Sequence, residues 1–327
     1  MTITRSRRVI GHAAFNLVKF YCRHCPFRKG KARLFVTLCK ITKFRPPPSV
    51  IKSADGRLLN VDLAWGGMED LYFLGEYERS VSAAVAAVTR PGDLCIDVGA
   101  NIGWFSTLMA SLACPVTDNT EFPGHVLAIE PSTRTRAALD VNLALCPSGK
   151  SVTVAQFAVG DKAGMATLCT FPGLPNGHAS LSDQGFVGPL TESVEVVTLN
   201  ELLRSFEPAQ NREVDLVKVD IEGFELFFLR GATSLFRQKQ PPIILMEMAL
   251  GTSEHFGYGP QALVDFVQSQ TPYKFFALDP TNVSMQKVES FPAGHIGANV
   301  VGFPVHSRNA QFQQLISQVP ITAVTLS

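Results

Sequence analysis

Asp93-Leu94-Cys95-Ile96-Asp97-Val98-Gly99-Ala100-Asn101-Ile102-Gly103, followed by Trp104-Phe105-Ser106-Thr107-Leu108-Met109, is the segment from which the topology of this chain is read. An apolar run, a glycine turn and a helical run form the opening of a βαβ unit. Gly99 is expected to let the backbone pass close to a ligand, and Gly103 to let the helix start tightly against the strand. Loop amides and a helix N-terminus suit an electron-rich or anionic group. The spacing narrows the ligand further. A dinucleotide fingerprint is G-x-G-x-x-G; here the loop is G-x-x-x-G, with Asn101 where the second glycine would stand. No pyrophosphate cradle is evident, which argues against NAD or FAD, and no Gly-Lys-Ser/Thr of a Walker loop occurs. A wide turn preceded by one acid, Asp97, suits a smaller nucleoside-type cofactor.

Downstream, His125-Val126-Leu127-Ala128-Ile129 reads as strand two and ends at Glu130-Pro131. A carboxylate at the end of a second strand can accept from both ribose hydroxyls of a nucleoside, the role expected of Glu130. Strand three is expected over residues 152–159, with Phe157 or Ala158 near the adenine face. Extended pieces at 165–171 and 194–199 flank a glycine-rich loop, 173–180, which either closes over substrate or simply connects a hairpin. Strand four, Asp215-Leu216-Val217-Lys218-Val219, runs into Asp220-Ile221-Glu222-Gly223 and a helix from Glu225. Ligands of open parallel sheets lie beyond the carboxyl ends of the strands, so Asp220 and Glu222 share a crevice mouth with Gly99 and Glu130. Lys218 falls on the same strand face as Asp220 and needs a partner, for which Asp220 and Glu222 are the candidates. Strand five, 243–248, brings Glu247 near its end. A helix at 260–269 and strands at 273–278 and 299–303 complete the reading.

Upstream, a helix is expected over 78–88, ended by Pro91-Gly92, and a hairpin over 50–63 turning at Asp55-Gly56. Pro46-Pro47-Pro48 is a stiff spacer. The expected organisation is therefore a basic extension (1–48), a lead-in hairpin and helix (49–92), a cofactor-binding domain (93–305) and a tail (306–327).

The 327 residues carry a net charge of +1, from 29 Lys plus Arg against 28 Asp plus Glu. That total is an average over unlike parts. No acid precedes Asp55, whereas the first 54 residues hold 13 of the basic side chains, which leaves 16 against all 28 acids in the rest. A globally basic nucleic-acid binder is excluded, and no nucleic-acid partner is expected. No run of about 18 apolar residues is present, so nothing is expected to span a membrane. Three readings of residues 5–45 stand: a helix pair packed on the body, a peripheral contact with an anionic membrane or polyanionic envelope, and a mitochondrial transit peptide. The chain is accordingly placed in the cytoplasm, with membrane-peripheral and mitochondrial alternatives. The seven cysteines are odd in number and mostly in apolar runs, as buried thiols are. Cys22-Arg23-His24-Cys25 has no second pair at zinc-ribbon distance.

Asp97-Val-Gly-Ala-Asn-Ile-Gly103, Glu130-Pro131, Asp215-Leu-Val-Lys-Val-Asp-Ile-Glu-Gly-Phe-Glu225 and Leu229-Arg-Gly-Ala232 together resemble FkbM-type methyltransferases. Glu78 after Tyr77, Val197-Thr198-Leu199, Glu247 and Asn299-Val300 extend the resemblance over roughly residues 60–305. Asn200 departs from the usual Asp, and the loop at 114–124 is long. The resemblance implies a Rossmann-like class I α/β fold, with a seven-stranded, mostly parallel sheet, helices on both faces and the last strand antiparallel. It implies S-adenosylmethionine as methyl donor and a hydroxyl of a small molecule or saccharide as acceptor. The expected cofactor residues are Asp97, Gly99, Ala100, Asn101, Gly103, Glu130, Pro131, Phe157 and Ala158. Asp220 is the first candidate for base or acceptor orienter, Glu222 the second and His178 the third; Asp220 has an alternative role in holding the methionine ammonium. No metal is expected, although Asp220, Glu222 and Glu247 have the chemistry for a hard cation. The competing readings are a methyltransferase-fold scaffold without activity and a nicotinamide-dependent enzyme. The acceptor and the oligomeric state are not legible.

Overall fold

The computed structural model describes residues 5–25, 34, 37, 38, 41, 46–65, 67–115, 123–171, 179–182, 190–280, 284–291 and 297–305. Those up to Tyr77 form one compact unit and those from Glu78 onward another. In the first, helix α1 (Arg5–His24) is followed by a hairpin of β1 (Ser49–Lys52) and β2 (Leu58–Val61) and by the short helix α2 (Glu69–Leu74). The hairpin turns where expected. Asp55 accepts from Arg57 Nη2 at 2.7 Å and from Ser53, clamping the two sides of the turn. Phe15 of α1 stacks on Phe73 of α2 with ring centroids 6.0 Å apart.

The second unit is built on a sheet whose core strands are the apolar runs of the sequence. They are β3 (Leu94–Val98), β4 (His125–Ile129), β5 (Val152–Ala155), β10 (Leu216–Val219), β11 (Ile243–Ala249), β12 (Tyr273–Leu278), β13 (Met285–Val288) and β14 (Gly297–Pro304). The strands β6 (Ala158–Val159), β7 (Gly164–Thr170), β8 (Ala179–Ser180) and β9 (Leu190–Val197) lie elsewhere, as described below. The order in the large sheet is β13-β12-β14-β11-β10-β3-β4-β5. From β5 to β11 neighbours are parallel, and β14 inserts antiparallel between β11 and β12. This is the mixed α/β, mostly parallel sheet expected, with one difference. Among the described residues it has eight strands rather than seven, because β13 folds back on β12 as an antiparallel edge. Leu94, Ile96, Val98, Leu127, Ile129, Val217, Val219, Ile244 and Met246 join one buried cluster, each side chain contributing roughly 1.5–3 kcal/mol. Cys22, Cys95, Cys114, Cys146 and Cys169 are also buried.

The expected third strand, 152–159, is divided. β5 ends at Ala155, and β6 enters a separate four-stranded sheet of order β6-β9-β7-β8. Its core includes Ala158, Leu168, Val194 and Val196. The break falls at Gln156-Phe157, between two apolar pieces that read as one when only composition is considered.

Helices follow the strand ends: α3 (Arg79–Val88) before β3, α4 (Trp104–Ala113) after it, α5 (Thr133–Leu145) after β4, α6 (Leu199–Ser205) after β9 and α7 (Glu225–Gly231) after β10. Then come α8 (Leu250–Ser253) and α9 (Pro260–Gln270). The chain moves from β3 to β4 and β5 on one side and to β10 and β11 on the other, so the topological switch point lies between β3 and β10. Gly99 sits there with φ of +77°, and a Cβ at this position would stand 1.9 Å from the Asp220 carbonyl oxygen. Its glycine is thus required by the neighbouring strand end, where the sequence was read as making room for a ligand. Gly103, φ +86°, would place a Cβ 2.4 Å from the movable Leu139 side-chain tip.

These two contacts separate in cost. Gly99→Ala is expected to destabilise by at least about 3 kcal/mol, since backbone must shift in addition to the left-handed φ. Gly103→Ala is expected to cost less, because Leu139 can rotate away. Denaturant unfolding of both variants checks this, and equal losses would contradict it.

Candidate functional site

The carboxyl ends of β3, β4, β10 and β11 bring the site together. Asp97, at the end of β3, is fully buried, and its Oδ2 accepts from Ser106 Oγ at 2.6 Å. Burial pushes its pKa up, against the pull of Lys218 and Ser106. After it, Asn101 adopts a left-handed φ of 50°, a conformation Asn tolerates better than most residues. Its amide donates to Glu130 Oε2 at 3.0 Å, while Ser132 N–H donates to Glu130 Oε1 at 2.9 Å. Glu130 therefore bridges the loop after β3 to the entry of α5. It is 6% exposed, and burial raises its carboxyl to about 7 although both amides pull the other way. Two acceptors in this loop, Asp97 Oδ1 and Asn101 Oδ1, are buried and have no hydrogen-bond partner among the described residues. Such atoms call for a donor.

On β10, Lys218 pairs in register with Asp97 of β3 and donates to Asp220 Oδ2 at 3.0 Å. Of its two candidate partners the structure selects Asp220. The ammonium also lies 4.5 Å from the Phe105 ring centroid. Burial works against its charge, but Asp220, Asp97 and Glu78 outweigh burial and hold its pKa above the usual lysine value. The next loop is strained: Glu222 has φ of 54°, and its carbonyl accepts from Ser180 Oγ at 3.1 Å. Glu225, 2% exposed, secures the turn by accepting from the amides of Ile221 (3.1 Å) and Gly223 (3.2 Å). Tyr258 donates to the Gly223 carbonyl at 2.7 Å, and its hydroxyl lies 3.1 Å from Glu225 Oε2. This brace was missed from sequence. An acid two residues after a loop glycine was a usable signal for Glu225, but nothing in the sequence links Tyr258, 33 residues away, to it.

Glu247 joins these acids from β11. One carboxylate oxygen each of Asp220, Glu222 and Glu247 lies within 4.8 Å of the others. The charge of Asp220, then burial, then Glu222 and further acids drive the Glu247 pKa up to about 9. Asp97, Asn101, Glu130, Lys218, Asp220, Glu222 and Glu247 thus gather around one set of strand ends. Ala100 is buried in the same loop, and Pro131 directly follows Glu130. Phe157 packs against the large core while Ala158 belongs to the small sheet, so the expected adenine-side pair is split between two cores. His178 lies outside the described residues, as does most of the 173–180 loop.

The methyltransferase FkbM domain family matches residues 97–272, more than half of the chain. Methyltransferase sdnD of Sordaria araneosa is 32% identical over 162 residues, which cover 42% of this chain and 59% of that protein. A crystal structure of methyltransferase FkbM from Methylobacillus flagellatus KT is similar at 15% identity and a TM-score of 0.41, covering 85% of this chain and 72% of that one. A SAM-dependent O-methyltransferase from Thermotoga maritima is similar at 12% identity and 0.39, covering 82% and 81%. The family match opens on the buried Asp97 and runs past β11, enclosing Glu130, the Lys218–Asp220 pair and Glu247, and by that match the chain belongs to the FkbM methyltransferase family.

Proposed function

We propose that the chain is an S-adenosylmethionine-dependent O-methyltransferase acting on a hydroxyl of a small molecule or saccharide. The observation that carries this reading is the pair of orphaned buried acceptors, Asp97 Oδ1 and Asn101 Oδ1, in the segment that Glu130 holds and on the same strand ends as the acid cluster of Asp220, Glu222 and Glu247. That arrangement fits a ligand rich in hydroxyl and ammonium donors and positively charged overall, as S-adenosylmethionine is. When bound, the cofactor supplies an electrophilic methyl group on a sulfonium. Glu130, held by two amides, keeps lone pairs for ribose hydroxyls. Asp97 and Asn101 offer acceptors to the cofactor's remaining donors. Asp220 is anchored on one oxygen by Lys218; its other oxygen would orient the acceptor hydroxyl and accept its proton as the methyl group passes from sulfur to the hydroxyl oxygen, the methyl–sulfur bond breaking and the neutral thioether leaving. Glu222 is the second acid for that step, and His178 remains a third candidate. Much of the rate comes from holding acceptor and donor in line. Among the described residues no helix is long and apolar enough to cross a membrane.

Three outcomes follow from these roles. Glu130→Ala should weaken S-adenosylmethionine by roughly 1.5–3 kcal/mol, the scale of hydrogen bonds to a charged group; unchanged affinity by calorimetry refutes the ribose assignment. Asp220→Asn should lower turnover at least about tenfold while donor affinity stays within a few-fold. Collapse of affinity with turnover preserved at saturation would move Asp220 to the ammonium. Finally, Glu247 has a folded pKa of about 9 against an ordinary 4.5. A raised pKa favours the protonated folded form, so its contribution to stability is complete below the unfolded value and is lost as pH rises to about 9. Between pH 6 and 9 the wild-type Tm should therefore fall by at least about 2 °C more than that of Glu247→Gln. Parallel pH profiles would contradict the shift.

A further inference from the structure

We propose that the outward face of α1 is a docking surface for an anionic phospholipid membrane. The helix carries two apolar stripes, and among the described residues one of them is packed. Phe15 and Cys22 are 1% and 2% exposed, and Lys19 places its ammonium 4.3 Å from the Tyr72 ring centroid, so this side is committed to the chain's own first unit. The other stripe is Leu17, Phe20 and Tyr21, exposed by 70%, 63% and 47%. The spacing i, i+3, i+4 puts the three on one side of the helix, and His24, one turn further, stacks on Phe20 with ring centroids 4.2 Å apart. An aromatic and aliphatic row held in water by a folded helix gains nothing unless something covers it.

Charge in the sequence points to the cover. Lys19 and Arg23 are turned to the first unit, Arg23 donating to the Lys52 carbonyl at 2.9 Å, but the first 54 residues together hold 13 Lys and Arg and no Asp or Glu, while the rest of the chain is acidic. A basic segment bearing an exposed Leu-Phe-Tyr row is complementary to a surface that offers negative headgroups above hydrocarbon, where the aromatic rings lie at the boundary and the cations meet phosphate. The helix is too polar on its other positions to cross a bilayer, so it lies along one. Such a contact would hold the enzyme at a surface where an amphiphilic acceptor is concentrated.

Cosedimentation of the full chain with vesicles tests this, using phosphatidylcholine alone and phosphatidylcholine with phosphatidylserine in equal parts. Binding is expected to the anionic vesicles only, to weaken with added salt, and to drop at least about tenfold in L17S/F20S, which removes two exposed apolar side chains. An unchanged unfolding temperature for L17S/F20S verifies that the helix remains packed through Phe15 and Cys22. Absence of binding to anionic vesicles, or equal binding by the variant, overturns the proposal. So does a concentration-dependent dimer in gel filtration that L17S/F20S abolishes, which would assign the face to a second copy of the chain.

Discussion

The ammonium of Lys218, bonded to Asp220, beside the Phe105 ring and in strand register with Asp97, is the contact on which the arrangement of these strand ends depends. Two carboxylates on adjacent parallel strand ends, one of them fully buried, would repel each other and suffer desolvation together. The cation offsets part of that cost through its charge, although burial still raises the Asp97 pKa, and removing one partner of a buried pair costs on the order of 3–5 kcal/mol. The same cation does not neutralise the whole mouth. Glu222, Glu225 and Glu247 remain, and the surplus of negative charge raises the Glu247 pKa. Under the proposed function that surplus suits a cationic methyl donor better than a dinucleotide pyrophosphate.

Geometry complements the charge. The loops after β3 and β10 each contain a non-glycine residue in the left-handed region, Asn101 and Glu222. Such conformations cost on the order of 1–3 kcal/mol and persist where the surroundings over-determine them. Here the surroundings are identifiable: Glu130 holds the Asn101 amide, while Glu225, Tyr258 and Ser180 hold the turn around Glu222. Gly99 packs directly beneath the Asp220 carbonyl, so the two loops are fixed relative to each other before any ligand arrives. Placement of that kind is what a displacement reaction with little covalent chemistry for the protein requires.

Much of this was legible in the sequence, and the reason is physical. Parallel strands buried on both faces read as unbroken apolar runs, so β3, β4, β10 and β11 and the acids at their ends could be placed. The Lys218 partner could be narrowed to two because an ammonium in an apolar strand must be compensated. What escaped depends on contacts distant in sequence or on bends without a compositional mark. The division of residues 152–159 between two sheets, the hairpin edge β13 and the Tyr258–Glu225 brace are of this kind. Helix α5 escaped for another reason: in Thr-Arg-Thr-Arg-Ala-Ala-Leu-Asp-Val-Asn-Leu-Ala-Leu only Thr135, Leu139 and Asn142 are buried, so its apolar periodicity is weak. The close approach of Gly99 to the Asp220 carbonyl also escaped, because it joins residues 121 apart in sequence.

The near-neutral total charge conceals two chemistries, an acidic body whose carboxylates shape a crevice and an acid-free basic segment with an apolar outer row. The body's central claim is that its switch point binds a methyl-donor nucleoside. Thermal unfolding with S-adenosylhomocysteine tests this most directly, because this demethylated product of the donor retains the ribose and ammonium that Glu130, Asp97 and Asn101 would engage. A saturable stabilisation is expected, about 2.7 kcal/mol at a hundred times Kd, with no effect from NAD. An unfolding temperature that NAD raises and S-adenosylhomocysteine does not would contradict the account.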